Sequence, residues 1–279
     1  MRKGGAVSNA KKYMVLPDAH FPHQDDAAMA CVLEAVDIVD PDEIIVLGDW
    51  LDAGGFSRHP AFTFEDGKHS YLQDEVGPVN EFLDLLQGHD SRRKLVYLGG
   101  NHEYRVQRHL VSVGGAVGKD LFTLSDPARL LRHRYDRNGN PGRTKRKNFK
   151  YIPWIGKGCH AHYKIAPNLI AIHGWSFAVN FTQVNQRHEP TMSIVCGHTH
   201  RAAVHTARSS ITGMETRYWS PGCLCKLHQL YMCNTPHNWT QGFDVIYQSR
   251  RRKTDWSVLT IPITNGRAII PGDAREVQV

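Results

Sequence analysis

The sequence predicts an α/β fold, and three features of the chain support this prediction. Short apolar runs alternate with longer stretches in which apolar residues recur at helical spacing, as in a parallel sheet covered by helices. Each of these runs ends in a turn that contains proline or glycine. The same turns carry aspartate, asparagine or histidine at the carboxyl ends of the strands, where α/β proteins bind their ligands.

The composition limits the classes of protein to which the chain can belong. Its 279 residues are 41% hydrophobic and 22% charged, which is typical of a globular protein with a sizeable core. No run approaches the roughly 18 apolar residues of a membrane helix, and the basic N-terminus lacks the apolar stretch of a signal peptide. We therefore expect a cytoplasmic protein with no membrane partner and no obligate protein partner. The net charge of +7 favours an anionic partner.

The chain is expected to form a single domain at residues 13–270. A flexible basic tail precedes it at residues 1–12, and a polar tail follows at residues 271–279. Residues 104–168 interrupt the alternating pattern and form a basic insert. The six cysteines are scattered, so a disulfide scaffold is not expected. We interpret the closely spaced Cys223 and Cys225 as structural thiols at a turn.

The first two predicted strands bring three polar side chains to one edge of the sheet. A strand at residues 13–16 leads into Asp18 and His20. After a helix pattern, a strand at residues 43–47 leads into Asp49 in the same way. The strand-helix-strand order makes the two strands parallel, so their carboxyl ends meet. An isolated Asp-x-His pair is more often a turn aspartate beside a surface histidine.

The third strand follows a second predicted helix. Apolar residues recur at helical spacing over residues 72–86, and a strand is expected at residues 94–98. This strand ends at Asn101 and His102, which offer a neutral oxygen ligand and a proton donor.

Two further strands end in histidine. A strand at residues 169–172 leads into His173. A strand at residues 193–195 leads into His198 and His200, two imidazoles that a glycine turn can aim at one point. Such a pair is a common component of metal sites.

Together these turns resemble the five motifs of the calcineurin-like metallophosphoesterases, over about residues 13–202. The matching motifs are Asp18-Ala19-His20, Gly48-Asp49, Gly100-Asn101-His102-Glu103, His173-Gly174 and Gly197-His198-Thr199-His200. The resemblance implies a four-layer αββα sandwich, in which two mixed β-sheets are flanked by helices and a dinuclear metal site lies at the strand ends. It also implies that the remaining chain adds strands to the second sheet. Features of the C-terminal part are similar to stand-alone phosphoesterases of phages and bacteria.

The resemblance also implies the metal ligands, residue by residue. One ion would be held by Asp18, His20, Asp49 and His200, and the other by Asp49, Asn101, His173 and His198. The donor chemistry agrees, because imidazole with carboxylate suits Mn, Fe, Zn, Co or Ni rather than calcium, and one aspartate can bridge two ions. We expect two divalent transition-metal ions, with Mn first among them.

The expected reaction is the hydrolysis of a phosphate ester by a hydroxide that bridges the two ions and attacks phosphorus in line. His102 is not assigned to a metal, so we expect it beside the leaving-group oxygen as general acid or as a positive charge. Asp49 and His102 are therefore the predicted catalytic residues. Either Asp52 or Glu103 could hold the His102 ring.

Three functions are compatible with such a site. A phosphodiesterase acting on nucleotide or nucleic acid is preferred. A phosphomonoesterase, acting on protein or small molecules, and a non-catalytic metal-containing binding module are the alternatives. The protein phosphatases that the chain resembles carry an arginine where this chain has Ala53, which weakens that alternative.

The basic insert is the expected contact for a polyanion close to the metal site. Its candidate substrate-binding residues are Arg143, Lys145, Arg146 and Lys147. Aromatic residues interleave with these cations, as stacking on bases requires. A solvated, mobile lid is the alternative interpretation of the same segment. A short helix capped by Ser125 is expected to precede the cations.

Overall fold

The computed structural model describes residues 10–57, 69–88, 92–135, 141–155, 161–228, 237–271 and 275–278. Residues 1–9 of the predicted N-terminal tail, and residues 272–274 and 279 of the C-terminal tail, lie outside the described residues. None of the described helices is both long and apolar enough to span a membrane.

Strands and helices occur in the following order. The strands are β1 (Ala10–Leu16), β2 (Glu43–Val46), β3 (Lys94–Leu98), β4 (His133–Tyr135), β5 (Pro141–Lys145), β6 (Phe149–Ile152), β7 (His162–Ala166), β8 (Leu169–Ile172), β9 (Ser193–Cys196), β10 (Ala202–Arg208), β11 (Glu215–Pro221), β12 (Gln241–Ser249), β13 (Trp256–Ile263), β14 (Arg267–Ile270) and β15 (Arg275–Gln278). The helices are α1 (Asp26–Val39), α2 (Gly77–Gln87), α3 (Asn101–Ser125), α4 (Pro127–Leu130) and α5 (Phe181–His188). A 3₁₀ turn occupies Gly54–Phe56, and a π-helical turn at Tyr71–Val76 leads into α2.

The strands form two mixed sheets. The first has the order β13-β12-β1-β2-β3-β6, in which β1, β2, β3 and β6 are parallel and β12 and β13 are antiparallel to their neighbours. The second has the order β10-β11-β9-β8-β7, with β11, β9 and β8 parallel. Two hairpins, β4 with β5 and β14 with β15, complete the described strands.

Side chains of the central strands alternate between two buried layers. Val15 of β1 belongs to a cluster that includes Leu169 and Val195, so it packs between the two sheets. Its neighbour Leu16 belongs to a second cluster, which includes residues of α1 and α2. Helix α5 covers the outer face of the second sheet through Phe181. The predicted four-layer αββα sandwich is confirmed.

The N-terminal half follows the predicted order of elements. The carboxylate of Asp25 accepts a hydrogen bond from the backbone N–H of Ala28 at 3.0 Å, and it thereby caps α1. Strands β1, β2 and β3 begin or end within three residues of their predicted bounds. Strand β1 begins at Ala10, so the last residues of the predicted tail belong to the sheet.

The C-terminal strands differ from the prediction. We expected the chain beyond His200 to extend the second sheet, as β10 and β11 do. Strands β12 and β13 instead join the first sheet, where Tyr247 lies opposite Lys12. Strand β2 covers one edge of β1, and β12 satisfies the N–H and C=O groups of the other edge.

The insert also differs from the prediction. It begins with helix α3, which has a kink at Gly115 and was not predicted from the sequence. Val106 near its start is buried, but Val113 and Val117 farther along the helix are 66% exposed, so the apolar positions of its C-terminal part do not mark a buried face. Helix α4 is capped by Asp126, which accepts from the N–H of Ala128, rather than by Ser125.

Candidate metal centre

The turns after β1, β2, β3, β8 and β9 meet at one edge of the sandwich. This edge is called the metal edge below and is defined by Asp18, His20, Asp49, Asn101, His173, His198 and His200. These side chains are buried, except for that of Asn101, which is half-buried. The tertiary fold therefore brings together all the residues that were predicted as metal ligands.

The backbone of the metal edge is strained in a way that aims these side chains. The left-handed φ values are 52° at His20, 52° at Asp49, 73° at His198 and 57° at His200. Such values are uncommon for residues other than glycine, and they cluster at functional sites. A methyl group on Gly100 would overlap the carboxylate of Asp49, which explains why the turn after β3 needs glycine there.

The first ligand cluster contains Asp18, His20 and His200. The Nε2 atoms of the two histidines are 3.1 Å apart, and Nε2 of His200 is 3.5 Å from Oδ1 of Asp18. The backbone N–H of His198 donates to both oxygens of Asp18, at 2.9 and 3.0 Å. Nδ1 of His20 is 2.9 Å from Oδ1 of Asp52, which holds its ring from the outer side.

The second cluster contains Asp49, Asn101, His173 and His198. Nε2 of His173 lies 3.1 Å from Oδ2 of Asp49, 3.0 Å from Oδ1 of Asn101 and 3.0 Å from Nδ1 of His198. Nδ1 of His173 donates to the carbonyl oxygen of Leu47 at 2.9 Å. That outer hydrogen bond leaves Nε2 directed into the cluster.

These donor sets fit divalent transition-metal ions. Ligand atoms bound to one ion at roughly 2.0–2.1 Å lie about 3 Å apart. The distances of 3.0 and 3.1 Å within the clusters agree with this spacing. The outer hydrogen bonds of His20 and His173 fix the tautomers that metal ligation requires.

In the second cluster, one imidazole attracts a proton and its neighbour does not. Burial lowers the pKa of His173, but the charge of Asp49 and the hydrogen bond to it raise this pKa to about 9. Burial and the charge of His173 lower the pKa of His198 to about 3. A positive charge is therefore favoured between the two rings, at the point where their nitrogens meet.

The first cluster shows the same division. Burial lowers the pKa of His200, but Cys225 and Asp18 raise it to about 10. Burial and the charge of His102 lower the pKa of His20 to about 4. Each cluster therefore favours a cation among its ligand atoms.

His102 lies at the metal edge beside Asp49. Nε2 of its ring is 3.9 Å from Oδ2 of Asp49, and its backbone N–H donates to Oδ1 of the same carboxylate at 2.9 Å. Nδ1 is 2.7 Å from the carbonyl oxygen of Asp52 and 3.2 Å from its Oδ1. Burial raises the pKa of Asp52, but hydrogen bonds with His102 and His20 hold it well below its usual range. Asp52, and not Glu103, is thus the residue that holds the ring.

Glu103 supports the site from below, a role that the sequence analysis did not assign. Its carboxylate accepts hydrogen bonds from the backbone N–H groups of Gly100 (2.8 Å) and Asp49 (3.0 Å) and from the hydroxyl of Tyr97 (2.6 Å). It joins the turn after β2 to the start of α3. The signal in the sequence is the position of Glu103 three residues after the helix cap, where a capping-box glutamate is expected.

Aromatic rings surround the metal edge, and two of them, Phe177 and Trp239, were not predicted to lie there. The contacts, with their distances between ring centres, are Phe177 with His198 (3.6 Å), Trp239 with His200 (4.1 Å) and Trp154 with His173 (5.7 Å). Phe177 is 69% exposed, so its ring is open to solvent beside a candidate ligand. These residues are far apart in the sequence, and only the fold brings them together.

Cys223 and Cys225 lie behind the first cluster. Both are buried free thiols, and Sγ of Cys225 is 3.9 Å from Nδ1 of His200. His200 and the two thiols are close enough to hold an ion of their own, but the other ring nitrogen of His200 faces Asp18. This arrangement agrees with structural thiols that support the ring of His200 from outside.

The basic side chains of the insert that were predicted to bind substrate differ from one another in burial and contacts. Arg146 is buried, and its guanidinium forms an ion pair with Asp84. Lys145 and Lys147 are exposed. Arg143 belongs to β5, and its side chain lies outside the described part of the structure.

These residues lie at the end of the sheet opposite to the metal edge. They precede β6, which runs parallel to β3. The carbonyl oxygen of Asn148 accepts from the N–H of Leu95 at the start of β3, whereas the candidate ligand Asn101 follows the end of β3. The four residues of β6 span roughly 13 Å at 3.3 Å per residue. The structure therefore does not bring Lys145, Arg146 or Lys147 to the metal edge.

The fold and the ligand set together define a class of protein. The sequence profile of the calcineurin-like phosphoesterases matches residues 11–202, so the chain belongs to this family and is a metallophosphoesterase. It is similar to the Gene 54 protein of Mycobacterium phage L5, with 25% identity over 285 residues that cover 96% of this chain and 100% of that protein. The Gene 54 protein of Mycobacterium phage D29 is 26% identical over 287 residues, with the same coverage. The predicted similarity to phage proteins is confirmed.

Solved structures also resemble this chain. Vacuolar Protein Sorting 29 from Cryptosporidium parvum has a TM-score of 0.47 at 12% identity, and the superposition covers 97% of this chain and 99% of that protein's chain. A metallophosphoesterase from Sphaerobacter thermophilus has a TM-score of 0.41 at 13% identity, with 90% and 88% covered.

Proposed function

We propose that this metallophosphoesterase is a phosphodiesterase that acts on a nucleotide or on nucleic acid. The observation that carries the proposal is the arrangement of the metal edge, where two ligand clusters lie side by side and Nε2 of His102 faces Oδ2 of Asp49 at 3.9 Å. Two adjacent cation sites with a separate imidazole are suited to the hydrolysis of a phosphate ester.

The metal edge would hold two divalent transition-metal ions. One would be held by Asp18, His20, Asp49 and His200, and the other by Asp49, Asn101, His173 and His198. When bound, the ions supply Lewis-acid activation of the phosphate ester and of the attacking water. Mn²⁺ is the first candidate, because this donor set suits Mn, Fe, Zn, Co or Ni, and availability decides among them.

His102 is the proposed general acid or positive stabiliser. Its Nε2 faces the side of Asp49 on which the ester would bind, so it can meet the leaving-group oxygen as negative charge develops there. Asp52 orients the ring through the 2.7 Å hydrogen bond from Nδ1 to its carbonyl oxygen. Glu103 holds the turn of Asp49 in place and does not contact the ester.

The aromatic rings support a substrate that carries a base. Phe177 presents an exposed ring beside His198, and stacking of a base on an aromatic side chain is worth roughly 1–3 kcal/mol. A small phosphomonoester offers no flat group for this contact. Lys145 and Lys147 are not part of the proposal, because they lie at the opposite end of the sheet.

Paired chromogenic substrates test the proposal. Metal-free protein is reloaded with Mn²⁺, Ni²⁺, Zn²⁺ or Mg²⁺ and assayed on a nitrophenyl phosphomonoester and a bis-nitrophenyl phosphodiester. We expect faster cleavage of the diester in the Mn²⁺-loaded protein. Faster cleavage of the monoester would favour the phosphomonoesterase instead. Absence of cleavage of both esters and of a dinucleotide, with both metals bound, would favour a non-catalytic binding module.

A further inference from the structure

Arg105 lies one helical turn after His102 on α3, and its half-buried guanidinium contacts the ring of that histidine. Nη2 of Arg105 is 2.9 Å from Nε2 of His102, and Nη1 donates to the carbonyl oxygen of Asp52 at 3.2 Å. The same carbonyl oxygen accepts from Nδ1 of His102. The guanidinium therefore lies along the edge of the imidazole, against the nitrogen that faces Asp49.

This contact fixes the roles of the two ring nitrogens. A guanidinium has donors only, so Nε2 of His102 accepts from Arg105, and Nδ1 carries the hydrogen that is donated to Asp52. Nε2 is also the atom that faces Oδ2 of Asp49 at 3.9 Å. A phosphate ester placed at Asp49 would therefore meet the imidazole and the guanidinium together. While Arg105 donates to Nε2, that nitrogen is not available to the ester.

The charge of Arg105 is not neutralised by a close acidic partner. Within the described part of the chain, no carboxylate lies at ion-pair distance from its guanidinium, which bonds to a ring nitrogen and a carbonyl oxygen. Its charge acts at longer range on Glu75. Burial and the charge of Asp52 raise the pKa of Glu75 well above its usual range, and the charge of Arg105 lowers it in part. A planar fork of N–H donors matches two oxygens of a phosphate group, and the resulting hydrogen bonds are charge-assisted.

We propose that Arg105 binds the phosphate group of the substrate, and that it exchanges its contact with Nε2 of His102 for a phosphate oxygen. Substrate binding thereby exposes Nε2 of His102 to the ester, and this nitrogen takes up a proton from solvent before it donates one to the leaving-group oxygen. The inference rests on the proposed function of the metal edge and deepens it. It places the cationic contact to phosphate at Arg105, at the start of the insert, rather than at the predicted Arg143, Lys145, Arg146 and Lys147.

The test is the binding of inorganic phosphate to the metal-loaded protein, measured by calorimetry, together with KM and kcat for the nitrophenyl ester that the wild type cleaves faster. Arg105→Ala should weaken phosphate binding about 10- to 100-fold and raise KM, while the metal content stays unchanged. Arg105→Lys keeps the positive charge but loses the planar fork of donors, so its phosphate affinity should lie between those of the wild type and Arg105→Ala. Arg108→Ala removes an exposed arginine from the next turn of α3 and should bind phosphate as the wild type does.

Each outcome of these measurements either supports or overturns the role of Arg105. Equal phosphate affinity in the wild type and Arg105→Ala overturns the inference, and so does a lower kcat with unchanged phosphate affinity, because Arg105 would then only position His102. Phosphate binding that depends on Arg105 supports the inference even if neither ester is cleaved, which would count against the proposed function alone. If Arg105→Ala does not fold, the comparison of Arg105→Lys with Arg108→Ala gives the same decision.

Discussion

The metal edge and the basic insert are both dense in charge, but they hold it differently. At the metal edge, candidate ligands come from five separate turns and are buried apart from the half-buried Asn101, and their nitrogen and oxygen atoms approach to 3.0–3.5 Å. In the insert, Lys145 and Lys147 are exposed, and Arg146 turns inward to Asp84. Polar residues at strand ends converge because the sheet fixes where the ends meet. No such constraint acts on the run of basic residues in the insert, so their side chains lie in different environments.

Removal of the shared carboxylate is expected to have the largest effect. Asp49→Asn should lose bound metal and lower turnover by more than about 10³-fold, because the carboxylate that both ions need becomes neutral. Metal content by mass spectrometry and kcat measure the two losses. His102→Ala is the matched control at the same edge, and it should keep both metals while turnover falls about 10²–10⁴-fold. Full metal content in Asp49→Asn would contradict its role.

In the insert, the largest effect is expected on stability rather than on activity. Arg146→Ala should lower the free energy of unfolding by about 3 kcal/mol, because Asp84 and the buried side chain of Asn80 lose their cationic partner. Urea unfolding measures the change. The neighbouring Lys147→Ala should stay within about 0.5 kcal/mol of the wild type, since that lysine is exposed. Equal effects of the two substitutions would remove the distinction between them.

The core behind the metal edge should also respond to pH. Asp244 lies opposite Val15 on β12, accepts one hydrogen bond from Thr260, and has no partner for Oδ2 within the described residues. Burial raises its pKa to about 7. Between about pH 4 and pH 7 the folded state therefore holds a proton that the unfolded chain has lost, so stability decreases as the pH rises through this window.

The expected loss from Asp244 is roughly 4 kcal/mol across the window, from a shift of about three pKa units. Asp244→Asn removes the titration, so its free energy of unfolding should lose less than that of the wild type between pH 5 and pH 8. Urea unfolding at both pH values gives the comparison. Parallel pH curves for the two proteins would show that Asp244 does not carry this effect.

The smallest effect is expected from the exposed lysines. Lys145→Ala combined with Lys147→Ala should leave the salt dependence of KM for an oligonucleotide unchanged, because the side chains lie at the end of the sheet away from the metal edge. Each lysine that contacts a phosphate would contribute about one to the slope of log affinity against log salt. A slope that falls by about two would place the insert in contact with nucleic acid after all.

Local sequence patterns were sufficient to predict the structure where a strand ended in a turn. The apolar runs and their terminal Asp, Asn and His residues predicted β1, β2 and β3 and the candidate ligands that the structure brings together. Helix α3 could not be predicted in this way, because residues such as Val117 are exposed and the periodicity of its C-terminal part marks no buried face. The sheet to which β12 belongs could not be predicted either, since pairing depends on which strand edges remain open.

The sequence by itself determined the fold class and the family and predicted the candidate ligands, because each motif is a short segment of neighbouring residues. Tertiary structure decided the contacts between segments that are distant in the chain. It placed Asp52 rather than Glu103 against His102, brought Phe177 and Trp239 to the metal edge, and turned Arg146 inward. These contacts depend on how the sheets pack and where the helices lie, and no local pattern of residues encodes that packing.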